Sequence, residues 1–555
     1  MTKTSTRLVA LVLTVVALLL PPGTIASTLV GDVDLVASVT VGFWWTKLTL
    51  LLAAGLILLL PSRLEGYGPS EALVTEGMVT TPSWDRTDWY ACLALAAMGM
   101  ALRAVGLNEE LWFDEIQTLV DYVRLPVSEI LTRYDSQNQH ILYSVFASSS
   151  VRTFGESAWA LRLPAAMLGI LSIPFTYLFA RQVTSRSEAF LAAAFLAGSY
   201  HHVWFSQNAR GYTGVLVGTV LASLLFLRLL TASHVRPGLV VGYAVVSALT
   251  VWTHLTAAVT VAAHGIIWLL VTFHHPRRMA SPTSLAVLGA LSLAGLFSLS
   301  LYGPVLPQLT GTLSGGTVAS APTEWQNPSW LVLESLRNLS QGIPGGWFAG
   351  LIGVFVMLVG TISYARQNPV ILSVLLLPAG LMGILVLGTG HNLWPRFFFF
   401  SAAFAVLIGV RGGSTLIRRV ASPAHANWLE LTVGLAVVAI STMTVPQAWG
   451  PKQAFHTAAR YVTESRSEGD AVITVDMTHF PFHEYLGLDW PAVDSPTGLS
   501  KIESTHPRTW VLYTFPVRLA AIYPDLWDKL QEEYTTATVV PGTVGGGDIV
   551  IMVKP

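Results

Sequence analysis

The chain has 555 residues, of which 52% are hydrophobic and only 11% charged, far below the roughly 25% charged residues of soluble domains. A chain this apolar cannot clothe a water-facing surface, so a lipid bilayer is its natural solvent. The net charge of −1 excludes the basic footprint of a nucleic-acid-binding protein, and the single cysteine, Cys92, excludes an intramolecular disulfide and a cysteine-based zinc site.

A spanning helix needs about 20 mostly apolar residues. Runs of that kind occupy 8–28, 37–60, 89–107, 161–180, 188–206, 211–230, 238–256, 257–273, 284–302, 347–364, 370–389, 395–410 and 428–446. They predict a polytopic α-helical membrane protein with about 13 transmembrane helices. The first run also fits a signal peptide, with Lys3 and Arg7 before it and Pro21-Pro22-Gly23 breaking it. An uncleaved anchor is the favoured expectation, because so many spans follow.

Lys and Arg fall in alternate loops: Lys3 and Arg7, Arg63 and Arg86, Arg181 and Arg186, Arg228 and Arg236, Arg277 and Arg278, Arg366, then Arg411, Arg418 and Arg419. The positive-inside rule makes that side cytoplasmic. Residues 108–158, 303–346 and 447–555 then face outward from the cell inner (plasma) membrane. The expected organisation is 1–88 as two extra N-terminal spans with a cytoplasmic loop, 89–446 as the transmembrane core, and 447–555 as an extracytoplasmic α/β domain. In that last part, β-type runs occur at 470–475, 509–514, 536–541 and 548–553, with helical patterns at 453–465 and 517–533. It carries no Gly-rich phosphate loop opening a helix; Gly545-Gly546-Gly547 reads as a turn.

The first outer loop opens with Trp112-Phe113-Asp114-Glu115. Ile116, Leu119, Val120 and Val123 then recur at helical spacing, predicting an amphipathic helix near the membrane surface. Locally, Asp114 reads first as a carboxylate capping the positive end of that helix, with Glu115 as a solvated charge. Two further outer features change the weighing. WFSQNARGY at 204–212 places Arg210 and Tyr212 at the outer boundary, and GHNLWPRFFFF at 390–400 places His391 and Arg396 there. Positive charge is less expected on that side, and a guanidinium there suits a lipid phosphate as well as simple anchoring.

Asp114-Glu115, ESAWALRLPAAMLGI at 156–170, SQNARGY at 206–212 and WPRF at 394–397 together resemble the bacterial branch of the protein mannosyltransferase family. These are GT-C-fold glycosyltransferases that use polyprenyl-phosphate sugars, and they include the aminoarabinose transferases of lipid A. The resemblance covers about 89–446. The chain departs from the family at 137–146, QNQHILYSVF, where a His-Pro-Pro-Leu-Tyr-like stretch is usual and only His140, Leu142 and Tyr143 correspond.

The resemblance implies a GT-C-like core and a polyprenyl-phosphate-linked sugar donor. The acceptor it implies is a hydroxyl on protein, lipid or glycan. It implies Asp114 as general base and Glu115 as the residue orienting it or the donor. Arg210, Arg396 and Tyr212 would hold the donor phosphate. His140, Arg162, His254 and His391 are weaker candidates for substrate contact. A single base implies inversion at the anomeric carbon. No cofactor is expected, and a divalent metal is not favoured. The competing reading is a transporter or flippase of lipid-linked sugars; no internal repeat of the transporter kind stands out, and the polar candidates cluster on one face.

Overall fold

The computed structural model describes residues 3–64, 72–74, 84–274, 276–314, 329, 333, 346–390 and 394–555. Among these, nine helices are long and apolar enough to cross a membrane: Val33–Leu59, Ala158–Val183, Tyr212–Leu230, Leu255–His274, Pro282–Thr312, Gly350–Gln367, Pro369–Gly388, Pro395–Val420 and Pro423–Trp449. A tenth candidate joins Arg7–Leu19 to Pro22–Leu29 through a 76° bend. Pro21 and Pro22 stand at that break, where missing N–H groups and ring clashes stop the helix.

The expected runs are all helical, but the count differs from thirteen for local reasons. The run at 89–107 becomes Arg86–Ala104, with Arg86, Asp88 and Arg103 diluting its apolarity. The run at 188–206 breaks at Gly198-Ser199 into Arg186–Ala197 and Tyr200–Ser206. Pro237–Thr253 has only 17 residues, because the chain turns extended at His254. The segment 303–346 lies largely outside the described residues.

Leu351, Phe355 and Leu358 on helix Gly346–Gln367 are more than half exposed. Lipid accepts such a face, whereas water penalises it by about 25 cal/mol per Å². The same helix meets Ala402–Val420 through glycines. A Cβ on Gly360 would lie 1.9 Å from the Ile408 carbonyl oxygen, and one on Gly412 would lie 1.9 Å from that of Val356. The two backbones touch, as small residues permit between spans. Gly412→Leu is therefore expected to lower the melting temperature of detergent-solubilised protein, with an overpacking cost of about 1–3 kcal/mol. An unchanged melting temperature would show that the helices are not in backbone contact.

The C-terminal region forms a five-stranded sheet, β1 (Ala471–Val475), β2 (Ala492–Val493), β3 (Thr509–Tyr513), β4 (Thr535–Val540) and β5 (Ile549–Lys554), in order β2-β1-β3-β5-β4. β1 runs parallel to β2 and β3, while β5 is antiparallel to β3 and β4. β1 and β3 are buried throughout, which explains their unbroken apolar runs. The helical pattern at 517–533 divides at Pro524 into Pro516–Ile522 and Pro524–Glu533. The polytopic helical class with a C-terminal α/β domain therefore holds.

Helix Ala158–Val183 connects two charged ends. Arg162 near its start pairs with Glu115 at 2.6 Å, and Arg181 near its end pairs with Asp88 at 3.3 Å. Nineteen residues of helix separate these two arginines by about 28 Å. At the Asp88 end, Arg186, Arg411 and Arg418 also pair with Asp88, Glu188 and Glu430. The Glu115 end carries the α/β domain, which shares one apolar core with the segment 108–158: Leu111, Ile116, Leu119 and Val123 cluster with Phe455, Val462, Phe482 and Trp490.

Candidate active site

Trp112 caps a short helix, Phe113–Thr118, that runs on into a π-helical turn, Leu119–Val123. The capping carboxylate is Glu115, not Asp114: Glu115 turns back to accept the Trp112 N–H at 3.3 Å. It also accepts the Ala209 N–H at 2.6 Å. Two parallel bonds from Arg162, at 2.8 and 2.6 Å, complete its shell. Arg162 donates further to the carbonyls of Leu107, Glu109 and Glu110. All five of its N–H groups are thereby used. Both side chains are buried. Burial pushes the Glu115 carboxyl up, but the charge and hydrogen bonds of Arg162 outweigh this and hold it below the usual glutamate range.

With Glu115 committed inward, the neighbouring Asp114 faces the opposite way. Its Oδ2 lies 3.4 Å from Arg396 Nη1 and 3.9 Å from Arg210 Nη1, and its side chain is 14% exposed. The Asp114 carbonyl accepts from the Thr118 hydroxyl and the Asn138 amide. The backbone is thus tied down independently of the carboxylate.

Arg210 sits in the turn between helices Tyr200–Ser206 and Tyr212–Leu230. It is buried, yet its Nε and Nη1 have no hydrogen-bond partner, and neither has Arg396 Nε. Its Nη2 lies 3.0 Å from His140 Nε2. His140 Nδ1 accepts the Gly211 N–H at 2.8 Å. Burial, then the charge of Arg210, pushes His140 well below the usual histidine range, so the ring is neutral. A neutral imidazole accepts at one nitrogen only. Arg210 Nη2 and the Gly211 N–H therefore compete for one accepting nitrogen of His140. The locus has one donor more than the ring can accept, which suits an anion.

The remaining predicted residues gather there. The His254 ring centroid is 4.3 Å from that of His140 and 6.1 Å from that of Tyr212. Arg210 lies over the Tyr212 ring at 5.8 Å. Tyr212, Val215, Thr256, Arg396, Phe397 and Phe400 line a small, partly open cleft. Asp114, Arg210, Arg396, Tyr212, His140 and His254 are thus one cluster. Glu115 and Arg162 stand behind it, bonded to each other, and His391 lies outside the described residues. Asn208 was not anticipated: its side-chain oxygen accepts from Trp112 Nε1 at 3.2 Å, tying the Arg210 turn to the Asp114 loop. Its place in SQNARGY was the available signal. Among the described residues, no three His, Cys, Asp or Glu side chains are grouped to hold a metal ion.

Residues 139–302 match the family model of dolichyl-phosphate-mannose-protein mannosyltransferases. The resemblance holds. The matched segment contains His140, Arg162, Arg210, Tyr212 and His254, while Asp114 and Arg396 flank it. The matched family is one of glycosyltransferases, in keeping with the GT-C-like class. No curated protein matches the chain in sequence. Among solved structures, the chain is similar to ArnT from Cupriavidus metallidurans bound to undecaprenyl phosphate, at 13% identity and a TM-score of 0.44, covering 84% of this chain and 98% of that one. It is similar to the Archaeoglobus fulgidus oligosaccharyltransferase in its apo form at 13% identity and a TM-score of 0.48, covering 84% and 75%. Arabinosyltransferase EmbB from Mycobacterium smegmatis matches at 12% identity and a TM-score of 0.44, over 80% of this chain and 46% of that one.

Proposed function

We propose that this chain transfers a sugar from a polyprenyl-phosphate donor to an acceptor hydroxyl at the outer face of the membrane, with inversion and with Asp114 as general base. The supporting observation is one carboxylate set 3.4 and 3.9 Å from two guanidinium groups that retain nitrogens without a hydrogen bond. The acceptor oxygen attacks the anomeric carbon as the bond from that carbon to the phosphate oxygen breaks. The acceptor proton passes to Asp114. The electron pair of the broken bond goes to the lipid phosphate, whose growing charge meets Arg210 and Arg396. Tyr212 lines the same cleft and supplies a hydroxyl donor. These charges supply the electrostatic stabilisation without calling on a metal.

The donor oxygens would take the guanidinium N–H groups that lack partners. Charge-assisted hydrogen bonds of this kind contribute about 1.5–3 kcal/mol each. Arg210→Met is therefore expected to weaken polyprenyl-phosphate binding by roughly 10- to 150-fold. Arg210→Lys restores the charge but not the planar fork, and should recover only part of the affinity. Titration calorimetry in detergent with polyprenyl phosphate checks both, and an unchanged affinity in Arg210→Met would remove the phosphate assignment. The function itself is tested with radiolabelled polyprenyl-phosphate sugars and membrane acceptors in reconstituted vesicles. Label appearing on an acceptor supports transfer. Movement of the intact sugar lipid between leaflets, without transfer, would replace this reading with a flippase.

A further inference from the structure

The α/β domain touches the membrane core at several points. Lys452 donates to the Gln207 carbonyl at 2.6 Å, and the Thr543 hydroxyl accepts from Trp204 Nε1 at 2.9 Å. Glu110 accepts from the His456 N–H at 2.7 Å and the Thr457 hydroxyl at 2.5 Å, at the start of helix Phe455–Ser465. These contacts fasten the domain to the end of helix Tyr200–Ser206 and to the segment before Trp112. A different contact reaches the first turn of the helix that carries Asp114. The Phe113 N–H donates to Gln453 Oε1 at 3.1 Å, and Gln453 Nε2 donates to the Thr514 hydroxyl at 3.0 Å.

Each part of that link is fixed. Gln453 is fully buried and Thr514 is 1% exposed. Thr514 directly follows β3, and the next residue, Phe515, is held at φ 49 with its N–H donating to the Gly546 carbonyl at 3.1 Å. β3 lies inside the sheet, between β1 and β5, and is buried throughout, so Thr514 hangs from an interior strand. Phe113 is the first residue of the helix, where backbone N–H groups have no partner within the helix. A side chain from 340 residues away therefore supplies a cap. Phe113 also packs on Phe480, just after β1, at 6.0 Å between ring centroids. The carboxyl ends of two neighbouring parallel strands thus face the Asp114 helix.

We infer that Gln453 is a positioning residue: it relays the place of the α/β domain, through Thr514, to the helix that aims Asp114. The inference rests on the reading of Asp114 as the base. Glu115 and Arg162 hold that helix from the membrane side, and Gln453 holds it from the domain side. Asp114 lies one residue beyond the capped N–H. A turn of the helix about its Glu115 anchor would carry the carboxylate away from the acceptor while the backbone segments that bear Arg210 and Arg396 stay in place. Loss of the link should therefore lower turnover and spare donor binding. Gln453 and Thr514 do not touch the donor cleft.

The test uses the full-length protein in detergent or nanodiscs. Gln453→Ala and Thr514→Val are each expected to lower kcat about tenfold, with KM for the donor and the affinity for polyprenyl phosphate changed less than twofold. Thr514→Ser should restore kcat. Hydrogen–deuterium exchange of the segment 108–124 should speed up severalfold in the two damaging variants, with strands β1 and β3 unaffected. An unchanged kcat together with unchanged exchange in 108–124 overturns the inference. So does exchange rising across the whole α/β domain, which would reveal general loosening, or a Thr514→Ser variant that fails to recover. Wild-type protein that transfers no sugar, but shows the same selective exchange response, would sink the transferase reading and leave the positioning of the helix standing.

Discussion

Asp114→Asn is expected to reduce kcat for sugar transfer by about 10²–10⁴-fold, the range removed when a general base is lost. The substitution keeps size and shape, so the loss would report proton acceptance rather than packing. Thr118 and Asn138 bind the Asp114 backbone carbonyl, and that anchoring does not depend on the side-chain charge. Asp114 pairs with Arg210 and Arg396, so under the proposed assignment it would compete with a donor phosphate for them. Removing the carboxylate charge should leave polyprenyl-phosphate affinity unchanged or raise it severalfold. Single-turnover transfer and direct lipid binding, measured on the same preparation, separate the two effects. Transfer within threefold of wild type would end the assignment of Asp114 as base. A matching loss of binding would make Asp114 a ligand-site residue instead.

The sequence made much of this arrangement visible, because the bilayer imposes simple rules. Apolar runs had to become helices, and the arginines at 181, 186, 411 and 418 do lie together at one end, paired with Asp88, Glu188 and Glu430. Periodicity also revealed the helix after Trp112. It did not reveal the partner. Ile116, Leu119 and Val123 pack in the core shared with the α/β domain, and an apolar face looks the same whether lipid or protein covers it. Adjacent acids were equally ambiguous. Local pattern makes Asp114 the cap and Glu115 a solvated charge, whereas the structure makes Glu115 the cap and sets Asp114 against Arg210 and Arg396. The deciding fact is Arg162, which lies 47 residues beyond Glu115 in sequence. Local patterns carry no information on such a pairing, nor on Gln453, which joins Phe113 from a far greater separation. The family resemblance reached Arg210 and Arg396 by motif, and the structure adds that they face one carboxylate. Among the residues supporting that carboxylate, Arg162 and Asn208 lie in the motifs that carry the resemblance, but Thr118, Asn138 and Gln453 belong to none, because support requires only a donor or acceptor at the right point in space.

Breaking the Glu115–Arg162 pair is expected to have the largest effect on stability. Two charges are buried together, and removing one leaves the other unpaired in a site closed to water. Such single removals cost about 3–5 kcal/mol. Arg162→Met abandons the Glu115 carboxylate and three backbone carbonyls together. Glu115→Gln should cost less, since an amide oxygen still accepts from Arg162 or from the Ala209 N–H. The double variant Glu115→Gln with Arg162→Met should be more stable than the sum of its parts, because neither member of the pair is then left charged without the other. Thermal unfolding in detergent at neutral pH measures all three. Acid supplies an independent check with a definite sign. The folded Glu115 carboxyl is held below its ordinary value, so its contribution is complete above the unfolded glutamate pKa of about 4.3. It is lost as pH falls through the folded value, where the native state must protonate a buried partner of Arg162. Wild type should therefore lose stability between about pH 4 and lower values more steeply than Glu115→Gln. Parallel acid profiles for the two proteins would mean that the pair is not the anchor of the Asp114 helix. The steeper wild-type profile would tie the stability of the loop to the same carboxylate whose inward commitment leaves Asp114 facing the arginines.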